Sequence, residues 1–220
     1  VVINATDDKT PELVYEFSKN NPNVLSMNLK KGGKGYAVVE GFKDALKRNN
    51  DLIGFVDADM ATPPDAFYEL VKNINRYDGI IASRWITGSI IKTPQTILRK
   101  ITSRGFNFLV RGLLLLPFSD TQCGAKLFKK NALRAVVNEI GITQWAFDID
   151  LLYKLKQKGF KIKEIPTFWE DRKESKLNLT KVPLKMFASI IRLRLLNSPF
   201  KFAVRAYDKL LPENLKIHKM

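Results

Sequence analysis

Disulfide chemistry is excluded at once, because the chain has a single cysteine, Cys123. No internal bridge can form, which fits a reducing compartment, and the sequons NAT and NLT then read as coincidental. Long apolar runs are also missing. No stretch approaches the roughly 20 apolar residues that a membrane-spanning helix needs. The best candidate, FNFLVRGLLLLPF, is short and holds Arg111. No signal peptide or initiator Met is visible. The chain opens inside the apolar run VVINA, so further sequence upstream of Val1 is expected. Internal repeats and low-complexity linkers are absent. The lone histidine, His218, sits in the C-terminal tail with no evident partner.

Positive charge is lacking in one half and concentrated in the other. Residues 1–98 carry 12 Lys and Arg against 12 Asp and Glu, whereas residues 99–220 carry 25 against 10, so the whole net charge of +15 lies in the second half. A basic half can face nucleic acid, an anionic membrane or a phosphorylated substrate. At 220 residues and 45% hydrophobic content, one good core with an appendage is expected.

The first 85 residues alternate strands and helices. The run VVINA is followed by the helical TPELVYEFSKN, in which Thr10 is the expected N-cap and Pro11 the first helical residue. The strand VLSMNL, the loop KKGGKG, the amphipathic YAVVEGFKDALKRNN, the strand LIGFVDAD, the helix PDAFYELVKNIN and the strand GIIASRW follow. This order predicts a mostly parallel sheet covered by helices, with ligands at the carboxyl ends of its strands. Beyond it, a helix is expected between Pro94 and Pro117, a strand at CGAKLFKK, helices at KNALRAVVNEI and DIDLLYKLKQKG, a strand at KIKEIPTFW and a basic helix at VPLKMFASIIRLRLLN.

Chemistry concentrates in LIGFVDADMATPPD, residues 52–65. The strand reads as fully buried and ends in Asp57 and Asp59, where an unpaired charge would be costly. Two carboxylates at i and i+2 can hold a hard divalent cation and leave positions for substrate phosphates. The residues alone also allow one aspartate to cap the helix at Pro63 while the other is solvated. A haloacid-dehalogenase phosphatase, with its D-x-D-x-T/V signature, is disfavoured because Ala61 stands four places after Asp57 and Thr62 one place late. The loop KKGGKG is not a P-loop, since Gly35 rather than Ser or Thr follows Lys34. It reads equally as a phosphate contact through Lys30, Lys31 and Lys34 or as a basic turn.

The order of these motifs resembles the inverting family 2 glycosyltransferases of GT-A fold, which are α/β with a Rossmann-like, mostly parallel sheet. DTQCGAKLF (120–128), WAFDIDLLYKL (145–155) and EIPTFWEDRKESKLN are similar to segments of dolichyl-phosphate glucosyltransferases and, more loosely, dolichyl-phosphate mannose synthases. The resemblance implies a GT-A domain over residues 1–170, followed at 171–220 by an acceptor loop and basic amphipathic helices. It implies a D-x-D pair, Asp57 and Asp59, binding Mg²⁺ or Mn²⁺ and through it the nucleotide-sugar diphosphate. It places Asp8, Lys34 and Gly35 on the donor and Arg84 on a phosphate. Arg99 and Ser103, one helical turn apart, fall near the phosphate of a polyprenyl or dolichyl acceptor. Asp120, Gln122 and Cys123 fall on the acceptor side, and Asp148 and Asp150 near the reacting sugar. Asn4 stands where an aspartate is common, and Ala61 replaces a glutamine of the mannose synthases, favouring UDP-glucose over GDP-mannose.

Plainer roles stand beside these. Arg84 can pair with an acid at the core edge, and Trp85, Trp145 and Trp169 can be packing residues. Cys123 reads as a small buried side chain rather than a nucleophile. Asp148 and Asp150 suit the first turn of a helix on dipole grounds alone.

The implied reaction is attack by a lipid phosphate oxygen on the anomeric carbon, with inversion. A phosphomonoester with a second pKa of about 6 needs little help from a general base. Between Arg172 and Lys209 lie 10 Lys and Arg but only 2 Asp and Glu. Leu184, Phe187, Ala188, Ile191 and Leu195 share one helical face there, the pattern of a helix lying in an anionic membrane surface. The expected setting is peripheral, on the cytosolic face. Aromatics do not alternate with the basic residues as stacking platforms would, so nucleic acid is not an expected partner. The rival readings are a soluble or glycan acceptor on the same fold, or a non-catalytic basic module.

Overall fold

A computed structural model describes residues 1–93, 97–141, 146–170 and 181–210; the side chains of 97–102, 181–186, 203, 205 and 208 are not part of that description. Arg99 therefore appears only as backbone. Trp145, the segment 171–180 and His218 lie outside the described residues.

The elements follow the expected alternation: β1 (Val2–Asn4), α1 (Thr10–Lys19), β2 (Met27–Leu29), α2 (Lys34–Leu46), β3 (Leu52–Val56), α3 (Pro64–Asn73) and β4 (Gly79–Ser83). They continue with β5 (Ile90–Ile91), α4 (Ile97–Leu114), β6 (Ala125–Lys129), α5 (Lys130–Val136), α6 (Phe147–Gln157), β7 (Ile162–Pro166), β8 (Phe168–Trp169), α7 (Lys181–Leu196) and α8 (Lys201–Leu210). The last helix lies within the region expected to hold basic amphipathic helices. Thr10 begins α1 instead of capping it; its N–H donates to Asp8 Oδ1 at 2.9 Å. The side chain two residues back thus covers the first N–H of the helix.

The main sheet has the order β3-β6-β4-β7. β3 and β4 both run antiparallel to β6, and β7 runs parallel to β4. Three of the four strands thus point the same way, with β6 reversed between them. Parallel pairs β1-β2 and β5-β8 flank it. The reversal matters for the site: the loop entering β6 reaches the same sheet edge as the chain leaving β3 and β4.

Side chains alternate across the sheet as strand geometry requires. Ile81 and Phe128 join the larger core with Phe42, Phe147, Leu133 and Leu151. Ile80, Ala82, Leu127 and Ile165 pack on the other face with Leu70. β4 is buried along its whole length, as a central strand should be. β3 is not, contrary to its apolar sequence: only Ile53 is buried and Val56 is 45% exposed. β3 lies at the end of the main sheet's strand order, and a composition of Leu, Ile, Phe and Val does not distinguish an edge from a centre.

α7 packs on the core along one side and leaves apolar side chains exposed on another. Ile190 and Leu193 belong to the main core, while Phe187 and Ile191, on the face picked out by the helical wheel, are exposed.

Candidate active site

The carboxyl ends of β3 and β4 and the entrance to β6 converge at one edge, and the charged residues meet there in linked pairs. Asp57, just past β3, receives the Lys34 ammonium on Oδ2 at 2.7 Å. Its own N–H donates to the Gly124 carbonyl at 2.8 Å. Lys34 reaches this point because Gly33, at φ 131°, turns the chain into α2 in a conformation that favours glycine. Gly35 is buried one residue further on.

Gly124 is the position where close approach decides the geometry. A Cβ there would collide with the end of the Asp57 side chain and come within 2.9 Å of Asp57 Cβ. The absence of a side chain at 124 is what lets the Asp57 carboxylate lie across the β6 entrance. Burial pushes the Asp57 carboxyl above the usual carboxylate range, with Lys34 only partly offsetting it. Burial also works against the Lys34 charge, but Asp148, Asp57 and Asp59 together raise the ammonium above its ordinary value.

Asp59 is exposed, and its Oδ1 accepts the Ala61 N–H at 2.9 Å. Ala61 itself is buried against this turn. Neither aspartate caps α3, whose N-cap is Pro63.

A second pair lies deeper. Lys126 is fully buried and donates to Asp148 Oδ1 and to the Cys123 carbonyl, both at 2.6 Å. Its Nζ lies 5.3 Å from the centre of the Phe55 ring, and Lys34 Nζ lies 5.9 Å from the same centre. Phe55 thus lies within cation–π range of both ammonium groups.

The third pair joins the end of β4 to the loop that leads into β6. Arg84 grips Asp120 through Nε to Oδ2 at 2.7 Å and Nη2 to Oδ1 at 2.9 Å, with the Arg84 backbone N–H adding a bond of 3.0 Å. Burial would raise the Asp120 carboxyl, but the Arg84 guanidinium reverses the sign and holds it below the usual range. The guanidinium lies 5.9 Å from the Trp85 ring centre and 5.3 Å from that of Trp169. Glu164 fixes the loop by accepting the Ser119 and Asp120 N–H groups, each at 2.8 Å.

The structure thus brings together Lys34, Asp57 and Asp148, and joins Arg84 to Asp120. Gln122 donates its N–H to Asp120 Oδ1 at 3.3 Å. Cys123 is buried, and burial raises its thiol to about 11, which fits an inert packing role. Asp150 faces elsewhere: Oδ2 accepts the Gly141 N–H at 2.8 Å, and Oδ1 lies 3.8 Å from Lys154. Its visible work is to pin the chain before α6. Asp8 is exposed at the start of α1, where hydrogen bonds from Thr10 lower its carboxyl. Ser103 lies half-buried on α4, and Arg104 beside it stacks 5.7 Å from the Trp85 ring centre. Asn4 Oδ1, at the end of β1, is buried and accepts no hydrogen bond from a described residue.

Sequence reasoning missed Lys126 and Gly124. Both sit inside DTQCGAKLF, and a lysine flanked by apolar residues in the strand AKLFK was the available signal.

The donor set suits a hard cation. Asp57 already carries a cationic group on one oxygen, Gly124 leaves room for its carboxylate, and Asp59 adds oxygen ligands at the open rim. Among the described residues no three His, Cys, Asp or Glu side chains cluster.

A partly reversed α/β sheet, helices on both faces and carboxylates at the strand ends define a GT-A fold. The model of Glycosyl transferase family 2 matches residues 1–137, and the chain belongs to that family. A dolichyl-phosphate beta-glucosyltransferase of Trichomonas vaginalis is 32% identical over 88% of this chain and 58% of its own length. Glycosyltransferase AglD of Haloferax volcanii is 29% identical over 84% of this chain and 30% of its own. The chain therefore spans under two thirds of these relatives. Among solved structures, glucosyl-3-phosphoglycerate synthase from Mycobacterium tuberculosis, in complex with Mn²⁺ and UDP-glucose, superposes with a TM-score of 0.59 at 15% identity. The match covers 89% of this chain and 66% of that one.

Proposed function

We propose that the protein is a metal-dependent hexosyltransferase that moves a sugar, with inversion, from a nucleotide donor to a polyprenyl or dolichyl phosphate. The observation that carries this is the Asp57 carboxylate, seated across Gly124 at the edge that also presents the Arg84–Asp120 pair. The dolichyl-phosphate beta-glucosyltransferases among its relatives supply the acceptor class. UDP-glucose is the favoured donor, on the strength of Ala61.

Asp57 and Asp59 would hold Mg²⁺ or Mn²⁺, which when bound supplies Lewis-acid stabilisation of the departing diphosphate. The chain's own residues do the rest. Lys34, at the start of α2, offers an ammonium to the donor phosphates, and Asn4 Oδ1 offers a hydrogen-bond acceptor to the nucleoside. Asp148, held by Lys126, faces the same charge cluster. Arg84, orientated by Asp120, brings a fixed guanidinium to the acceptor side, where Arg99 and Ser103 of α4 also belong. An ionised phosphate nucleophile needs no deprotonation, so no residue is required as general base.

The test is transfer from labelled UDP-glucose or GDP-mannose to polyprenyl phosphate with Mn²⁺. Asp59→Ala is expected to lower the rate about 10²-fold. Transfer that survives this change would sink the metal assignment, and no transfer from either donor would sink the function.

The setting belongs to the same proposal: peripheral attachment to an anionic membrane on the cytosolic face, through residues 171–220 together with α4. No described helix is long and apolar enough to cross a membrane. α4 packs on α7 and α7 on α8, and Phe108, Leu115, Phe200, Phe202 and Leu210 are exposed along this side. Arg104, Arg111, Arg194, Lys201 and Lys209 accompany them. Deleting α7 would open the core at Ile190 and Leu193, so substitution is the cleaner probe. The Phe108→Ser, Phe202→Ser double variant is expected to partition about tenfold more weakly onto vesicles containing phosphatidylserine. Flotation equal to the unsubstituted protein would remove this surface from the membrane.

A further inference from the structure

We propose that Lys34 is a resident counter-cation which a divalent metal must displace from Asp57, so that Lys34 couples metal binding to nucleotide binding. This rests on the reading of Asp57 as a metal ligand. Three observations carry it. First, the Lys34 ammonium sits directly on Asp57 Oδ2, at 2.7 Å, leaving that oxygen already engaged by a cation. Second, the bare Gly124 and the bond from the Asp57 N–H to the Gly124 carbonyl let the carboxylate lie across the entrance to β6, in contact with Lys34.

Third, Lys34 has no inward retreat. The interior beside Phe55 already holds the Lys126 ammonium, which is fully buried and committed to Asp148 and the Cys123 carbonyl. A metal arriving at Asp57 brings a like charge against Lys34, and the ammonium must move outward. Lys34 and Asp57 side chains are 35% and 34% exposed, so outward is toward solvent. That is where a donor diphosphate would enter, and it is anionic. Metal alone must break the Lys34–Asp57 pair without compensation. Metal arriving with diphosphate gives the released ammonium a new partner. Each ligand then strengthens the other by the same factor, as linkage requires.

The consequence is contrary to the usual effect of deleting a binding-site lysine: its loss should improve one ligand's affinity. Lys34→Gln is expected to bind Mn²⁺ alone about fivefold more tightly or better, within the ordinary range of site-to-site coupling. It should bind UDP alone more weakly, and UDP should improve its Mn²⁺ affinity by a smaller factor than in the unsubstituted protein. Lys31→Gln removes the same charge from the same loop, but Lys31 is exposed and stacks on Tyr36 at 5.3 Å rather than on a carboxylate. It should change Mn²⁺ affinity less than about twofold, because exposed charges are screened. Lys34→Arg keeps a cation against Asp57 and should not show the gain in affinity for Mn²⁺ alone expected of Lys34→Gln.

Free Mn²⁺ measured by electron paramagnetic resonance, with and without UDP, reads all four proteins without any transfer assay. An unchanged Mn²⁺ affinity in Lys34→Gln, or an equal gain in Lys31→Gln, overturns the proposal while leaving the metal site standing. Failure of every protein to retain Mn²⁺, even with UDP, overturns the reading beneath it.

Discussion

Gly124→Ala is expected to leave a folded protein whose transfer rate falls about 10³-fold, because a single methyl group removes the seat of the Asp57 carboxylate. The new Cβ would collide with the Asp57 carboxyl group and lie 2.9 Å from its Cβ. Most of that collision is with the free end of a side chain, which can rotate away. The backbone bond from Asp57 N–H to the Gly124 carbonyl, 2.8 Å, involves no atom that the methyl must displace. Stability should therefore change by less than about 1 kcal/mol, read as a thermal midpoint. The carboxylate, in contrast, loses its place beside Lys34. The pairing of a large rate loss with an unchanged midpoint separates this mechanism from general damage. A normal rate in Gly124→Ala would show that the Asp57 position seen here is not the one the reaction uses.

Gly124 also shows what the sequence could and could not reveal. D-x-D at the end of an apolar strand is a local signal, and the chain does place Asp57 and Asp59 at the sheet edge. The partners that give those residues their properties are far away in the chain. Gly124 meets Asp57 across 67 positions, Arg84 meets Asp120 across 36 and Lys126 meets Asp148 across 22. No periodicity reports such contacts. Arg84 had two sequence readings, a phosphate contact and a partner for a buried acid. The second is directly visible in the bidentate grip on Asp120. Asp148 and Asp150 looked equivalent on the first turn of α6, yet two residues on a helix point about 200° apart. One meets Lys126 and the other the Gly141 N–H.

Strand character was legible but depth was not. β3 and β4 have similar apolar sequences, and only β4 is buried throughout, because it lies between β6 and β7 while β3 has only β6 beside it in the main sheet. The cost of ending β3 in carboxylates is correspondingly modest. The costly charge is instead Lys126 in β6, between β3 and β4, which the sequence did not set apart from Lys129 on the same strand.

Lys126→Met is accordingly expected to destabilise the protein by about 3–5 kcal/mol, the penalty for leaving a buried ion without its partner. Lys126 has no solvent exposure, and Asp148 is 4% exposed, so water cannot replace the lost ammonium. The Cys123 carbonyl would also lose its donor at 2.6 Å, loosening the turn that carries Gly124. Methionine fills the space over Phe55, so the loss would be mainly electrostatic rather than a cavity effect. A double-mutant cycle makes this decisive. Asp148→Asn alone strands the ammonium, whereas Lys126→Met with Asp148→Asn removes both charges and should recover about 2 kcal/mol relative to the sum of the single changes. Urea unfolding of the four proteins measures each corner. Additive losses would mean that the two charges do not depend on each other, and that Asp148 is held toward Lys34 and Asp57 by the packing of α6 alone.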